Sequence, residues 1–175
     1  MRWRKIILFL TLFFYFPFAA MAMEKGLVAQ ICSHYEERDF LLLARDLRGI
    51  TPEDLEKGIW PDCLYRAAGT FWYLNGEYEA SVRSFLEVSK PTLLDIVNTS
   101  SAYIKLSRLE KAKELLSRAY IKYGDKVGIL YNLAIVHVKE GSYSRARGYL
   151  FKVLNLPVED DIKTRALNLL NYIGY

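Results

Sequence analysis

The sequence predicts an all-α chain, a stack of helix-turn-helix hairpins closed by one last helix. Three observations carry the prediction. Turn positions recur at Gly76, Ser107 and Gly141, 31 and then 34 residues apart. Residue types repeat at fixed distances on both sides of each turn. After the third hairpin, Ile162, Ala166, Leu169, Leu170 and Ile173 mark one stripe of a further amphipathic helix.

The first element, residues 1–22, reads as a secretory signal and not as part of the fold. Arg2, Arg4 and Lys5 form a cationic head, Ile6 to Phe18 an apolar middle, and Ala20-Met21-Ala22 a small-x-small cleavage site. A signal cut after Ala22 places the mature chain outside the cytoplasm, secreted or periplasmic. An uncleaved anchor is the alternative, because Ile6 to Met23 is uncharged over about the 18 residues that span a bilayer. Pro17 interrupts a continuous helix there and favours removal. No cysteine follows Ala22 as a lipid acceptor.

Removing the segment changes the charge reading. The full chain has 24 basic and 20 acidic residues; without Arg2, Arg4 and Lys5 the balance is 21 to 20, so the basic isoelectric point is no sign of nucleic-acid binding. The remaining chain is long enough for a substantial core, and it is too rich in aromatic and aliphatic residues for disorder.

Residues 23–61 are expected to form a degenerate helical pair and a connector. With Asp39 as the turn, Val28, Cys32, Tyr35, Leu41 and Ala44 fall into the columns of the later hairpins, and Arg48 breaks the series. Thr51-Pro52-Glu53-Asp54 supplies an N-cap, a proline at the first helical position and acidic residues in the first turn, so a short helix precedes Trp60-Pro61.

Three hairpins follow, over about residues 62–92, 93–126 and 127–157. Seven residues before the turns stand the small Gly69, Ser100 and Ala134, and four before stand the flat Trp72, Tyr103 and His137. Two after stand Tyr78, Leu109 and Tyr143; five after, the small Ser81, Ala112 and Ala146; nine after, the large Phe85, Leu116 and Leu150. Small residues midway along both helices let the backbones approach, and large ones fill the grooves beside that contact. One pair cannot bury both of its faces, so successive pairs stack. A glycine gives a short turn its backbone freedom; Ser107 lacks it, which predicts a different geometry for the middle turn. Residues 158–175 are the capping helix.

The stretch Leu130 to Pro157 resembles a tetratricopeptide repeat, two antiparallel helices in roughly 34 residues. Leu130, Leu133, Ala134, Gly141, Tyr143, Ala146 and Leu150 match that motif; His137 replaces its usual aromatic residue and Pro157 comes one residue early. The resemblance implies a right-handed superhelical solenoid whose concave groove, lined by the first helix of each repeat, holds a protein or peptide partner. The groove positions it implies are Arg66, Thr70 and Tyr73, then Asn98, Ser101 and Lys105, then Tyr131, Asn132, Ile135 and Lys139. Arg66 and Asn98 match the residues with which some relatives clamp a terminal carboxylate. Thr70 and Gly128 stand where that clamp has asparagine and lysine. The implied function is a non-enzymatic scaffold or assembly adaptor of the cell envelope.

Nothing in the sequence nominates catalysis or a cofactor. There is no glycine-rich phosphate loop, no pair of histidines at zinc-site spacing and no nucleophile elbow. His137 shares a column with Trp72 and Tyr103 and reads as a packed ring. Cys32, His34 and Cys63 are the one alternative set for metal or redox chemistry, but residues two apart on a helix face different ways and no fourth ligand is evident. Export would favour a Cys32–Cys63 disulfide, closing a loop worth on the order of 3 to 4 kcal/mol. Against it, the predicted register sets the two about 9 Å apart along the helix axes. Both the bonded and the free state stay open.

Charge is uneven along the chain. Residues 100–152 hold 11 basic and 4 acidic side chains, whereas residues 24–60 hold 5 and 8. One reading is a solvated outer face of the second helices. The other is a surface for an acidic segment or anionic lipid.

Overall fold

The computed structural model describes residues 25–174. The predicted signal segment, its cleavage site and the anchor alternative lie outside them. The described residues form ten α-helices and no strand, and none of these helices is long and apolar enough to cross a membrane. Two compact units divide the chain at Gly49 and Ile50.

In the first unit, α1 (Lys25–Glu36) and α2 (Phe40–Asp46) pack as a hairpin. Its turn is centred on Arg38, not on Asp39. Arg38 has a left-handed backbone with φ 59°, and the Asp39 carboxylate accepts a hydrogen bond from the Leu42 amide at 3.0 Å, capping α2. The one-residue shift repairs the column that Arg48 breaks when Asp39 is taken as the turn. Nine residues past Arg38 stands Leu47, buried, and the other column positions become Ile31, His34, Phe40 and Leu43, of which Ile31 and Leu43 are buried. Arginine in this conformation costs roughly 1–2 kcal/mol relative to glycine's free choice, so composition points the eye to its neighbour.

The second unit begins with α3 (Pro52–Glu56), started by the Thr51 capping box. Three hairpins follow: α4 (Asp62–Leu74) with α5 (Tyr78–Leu86), α6 (Leu93–Lys105) with α7 (Leu109–Tyr123), and α8 (Val127–Lys139) with α9 (Tyr143–Leu154). The last helix, α10 (Asp160–Tyr172), packs on α9 and α3 packs on α5. Each second helix also packs on the next first helix, and the first helices touch in turn, α4 on α6 and α6 on α8.

The turn at Ser107 does not differ from its sisters. Gly76, Ser107 and Gly141 have φ of 82°, 58° and 73°. In each, the next amide donates to the carbonyl five residues back: Glu77 to Trp72, Arg108 to Tyr103 and Ser142 to His137, at 2.8 to 2.9 Å. Asp39 donates to His34 in the same way at 2.9 Å. This is the glycine-type helix ending, held at Ser107 and Arg38 without glycine.

The columns form the core. Gly69, Ser100, Ala134, Ser81, Ala112, Ala146, Phe85, Leu116 and Leu150 are all buried. A Cβ on Gly69 would lie 2.9 Å from the Phe85 ring, and the buried Ser81 hydroxyl donates to the Gly69 carbonyl at 2.8 Å. The last cluster joins Leu130, Ala134, Leu150 and Val153 to Ala166, Leu170 and Ile173 of the C-terminal end.

Candidate functional site

The groove positions implied by the sequence lie on α4, α6 and α8, the three first helices that touch one another. Their side chains divide into those the fold itself uses and those it leaves open.

Arg66 is used by the fold. Its Nε donates to both oxygens of Asp95 at 3.0 and 3.1 Å, and its Nη2 donates to the Lys90 carbonyl at 3.0 Å. Asp95 is only 1% exposed. It closes a capping box with Thr92, whose amide and hydroxyl both donate to Oδ2 at 2.8 Å. Burying a carboxylate costs free energy unless it is paired and hydrogen-bonded, so the half-buried guanidinium that the resemblance assigns to a ligand is tied up between the first and second hairpins.

Asn132 and Ser101 form the next tie. Asn132 Nδ2 lies 2.9 to 3.2 Å from Ser101 Oγ, Ser100 Oγ and the Val97 carbonyl, with both serine hydroxyls donating to that same carbonyl. Gly128 belongs to this contact as well, since a Cβ there would meet Val97 at 3.0 Å. Lysine at that position would push α8 off α6.

The remaining positions differ in exposure. Thr70 Oγ1 is buried without a hydrogen-bond partner. Asn98 is half-buried and Lys105 and Lys139 are exposed. Tyr73 meets Tyr78 edge to face at 5.4 Å, and burial raises the pKa of its hydroxyl. Tyr131 packs on the last core cluster, where burial raises its pKa against the opposing effect of Arg165. Ile135 is half-buried against the middle cluster.

His34 and His137 share a column and both meet acids. His34 Nδ1 is 2.7 Å from Asp46 Oδ2. His137 stacks flat on Tyr149, 5.6 Å between ring centres, with Nδ1 3.2 Å from Glu140 Oε2 but out of line for a hydrogen bond. Glu140 accepts from Lys113 at 2.5 Å, and that bond holds its carboxyl below the usual range. Neither cysteine is a free thiol. Among the described residues no group of three or more histidine, cysteine or acidic side chains could hold a metal ion.

The basic region is partly neutralised. Arg108 pairs with Glu79, Lys113 with Glu110 and Glu140, Arg118 with Glu114 and Lys152 with Asp125. Lys105, Lys126, Lys139, Arg145 and Arg147 make no ion pair with the described residues.

Sequence reasoning missed Asp95 as the centre of the first tie, although Thr92-Leu93-Leu94-Asp95 has the spacing of Thr51-Pro52-Glu53-Asp54. It was a readable cap signal. Comparisons of the chain with protein-family models, with curated proteins and with solved structures gave no match.

Proposed function

We propose that the chain is an exported, tetratricopeptide-type solenoid, curved in a right-handed superhelix, that works without catalysis by holding a partner polypeptide in a cell envelope. The observation that carries this reading is the row of first helices. On α6 and α8, successive hairpins present Asn98, Lys105 and Lys139 with polar groups that the fold does not consume, next to the aromatic Tyr131 and, on α4, Tyr73. Backbone groups of an extended peptide need such donors and acceptors, and the aromatic faces give it contact area.

The role of groove residue is therefore assigned to Asn98, Lys105 and Lys139 first, with Thr70, Tyr73, Tyr131 and Ile135 as neighbours. Arg66, Ser101 and Asn132 hold the platform. The test is affinity capture from an envelope fraction, comparing wild type with Asn98→Ala/Lys105→Ala/Lys139→Ala, a variant that touches no internal bond. Partners recovered by wild type and lost by the variant support the groove. Equal recovery of every partner by both would sink it.

A further inference from the structure

A different face of the second unit, on the second helices, holds an open cleft. Tyr120 of α7 and Tyr149 of α9 meet edge to face, 6.4 Å between ring centres. Together with Arg145, Gly148 and Lys152 they line an open cleft of about 380 Å³.

Gly148 is the informative residue. It sits in the interior of α9, where glycine weakens a helix relative to alanine. Gly69 and Gly128 are excused by close neighbours, Phe85 and Val97. At Gly148 a Cβ would meet nothing within 4 Å. The sister hairpins carry Arg83 and Glu114 at this position, seven past the turn, and both are occupied by ion pairs, Arg83 with Glu53 and Glu56 and Glu114 with Arg118. In the third hairpin the position is bare and the floor of the cleft is backbone.

The cleft is also cationic. Arg145 is exposed and makes no ion pair with the described residues. Lys152 lies over the Tyr120 ring, 5.1 Å from its centre, and donates to the Tyr120 hydroxyl at 2.6 Å and to Asp125 at 3.2 Å. Aromatic walls, a backbone floor and Arg145 at the rim, unpaired among the described residues and beside Lys152 already paired with Asp125, suit an extended chain bearing carboxylates. A flat lipid surface would instead favour a broad apolar and basic patch.

We infer that the cleft between α7 and α9, floored by Gly148 and rimmed by Arg145 and Lys152, binds an acidic segment of a partner polypeptide, independently of the row of first helices.

The probe is a labelled, blocked oligoglutamate peptide, read by fluorescence anisotropy with the full chain at low and at about 0.15 M salt. Gly148→Leu fills the cleft and is expected to weaken binding by about tenfold or more, because the peptide is shut out from the cleft floor. The same change removes a helix-interior glycine, so its Tm should hold or rise by about 2–4 °C. Arg145→Ala repeats the loss of binding without altering the backbone, and Lys122→Ala, an equal charge outside the cleft, should change it less than about twofold. Losses that match in Arg145→Ala and Lys122→Ala would show diffuse attraction and overturn the site. So would full binding by Gly148→Leu, and so would capture by phosphatidylglycerol vesicles, lost in Gly148→Leu, with no binding of the peptide.

Discussion

Gly69 and Phe85 are matched in size, as are Ala134 and Leu150 in the third hairpin. The columns make the pairing visible in the sequence, but only the 2.9 Å approach of a would-be Cβ to the Phe85 ring shows that the smallest residue faces the largest. Gly69→Ala is therefore expected to destabilise the protein by about 1–3 kcal/mol through overpacking, despite the better helix propensity of alanine. Adding Phe85→Leu should return most of that loss, because the pair then copies Ala134 and Leu150; urea midpoints of the single and double variants check it. His137 was legible as a packed ring from its column alone. Its protonation was not, since that depends on Glu140 at the end of its own helix and on Arg145 and Lys113 arriving from two others. Burial holds its pKa below the usual value near 6.5, with Glu140 pulling it up and Arg145 and Lys113 pressing it down. The unfolded chain thus takes the proton first. The contribution of His137 to stability is full above about pH 6.5 and falls as the pH drops towards the folded value. Glu140, held low by Lys113, adds its own loss only below the usual glutamate value of 4.5. His137→Tyr, the residue of the middle hairpin, should flatten the stability profile just below pH 6.5 and leave the steeper acid limb in place. An unchanged slope in that upper window would mean that another group titrates there.

At the scale of an element, the turns separate what composition reveals from what geometry imposes. Gly76 and Gly141 announced themselves, and Ser107 was placed by spacing although its type argued for another conformation. Arg38 was passed over by one residue, because nothing in a glutamate-arginine-aspartate run marks a left-handed backbone. The bond from the amide one past the turn to the carbonyl four before it is the same in all four; helix packing fixes the turn and the residue at its centre bears the strain. Ser107→Gly is expected to stabilise by about 0.5–1 kcal/mol, the relief of that strain less the entropy glycine adds to the unfolded chain. Gly141→Ser should cost a similar amount. If Ser107→Gly lowers the urea midpoint, its hydroxyl has a role that the backbone argument lacks. The all-helical class and the hairpin turns were thus legible, since local pattern writes them. The destination of the polar side chains was not.

For the second unit as a whole, that destination matters most at Arg66. Hairpins in a row contact only their neighbours, so each junction is a place where unfolding can stop. The first junction is fastened by one buried carboxylate, Asp95, held by Arg66 and Thr92. Arg66→Ala leaves that charge without its cation and should cost about 3–5 kcal/mol, with part returned by adding Asp95→Asn. The loss should also be local. Trp60 and Trp72 both belong to the α3–α5 end, and the third tryptophan, Trp3, lies in the predicted signal segment. In a chain prepared without residues 1–22, tryptophan fluorescence therefore reports that end alone, while far-ultraviolet circular dichroism reports every helix. In wild type the two urea transitions should coincide, as one cooperative unit requires. In Arg66→Ala the fluorescence transition should move below the dichroism transition, as α3 to α5 open ahead of the Asn132-tied hairpins. Two curves that shift together would show that apolar packing between α5 and α6, and not this ion pair, couples the hairpins. The same reasoning keeps Arg66 out of any binding variant: a mutant that loses its partner because one end has opened says nothing about the surface that end carries.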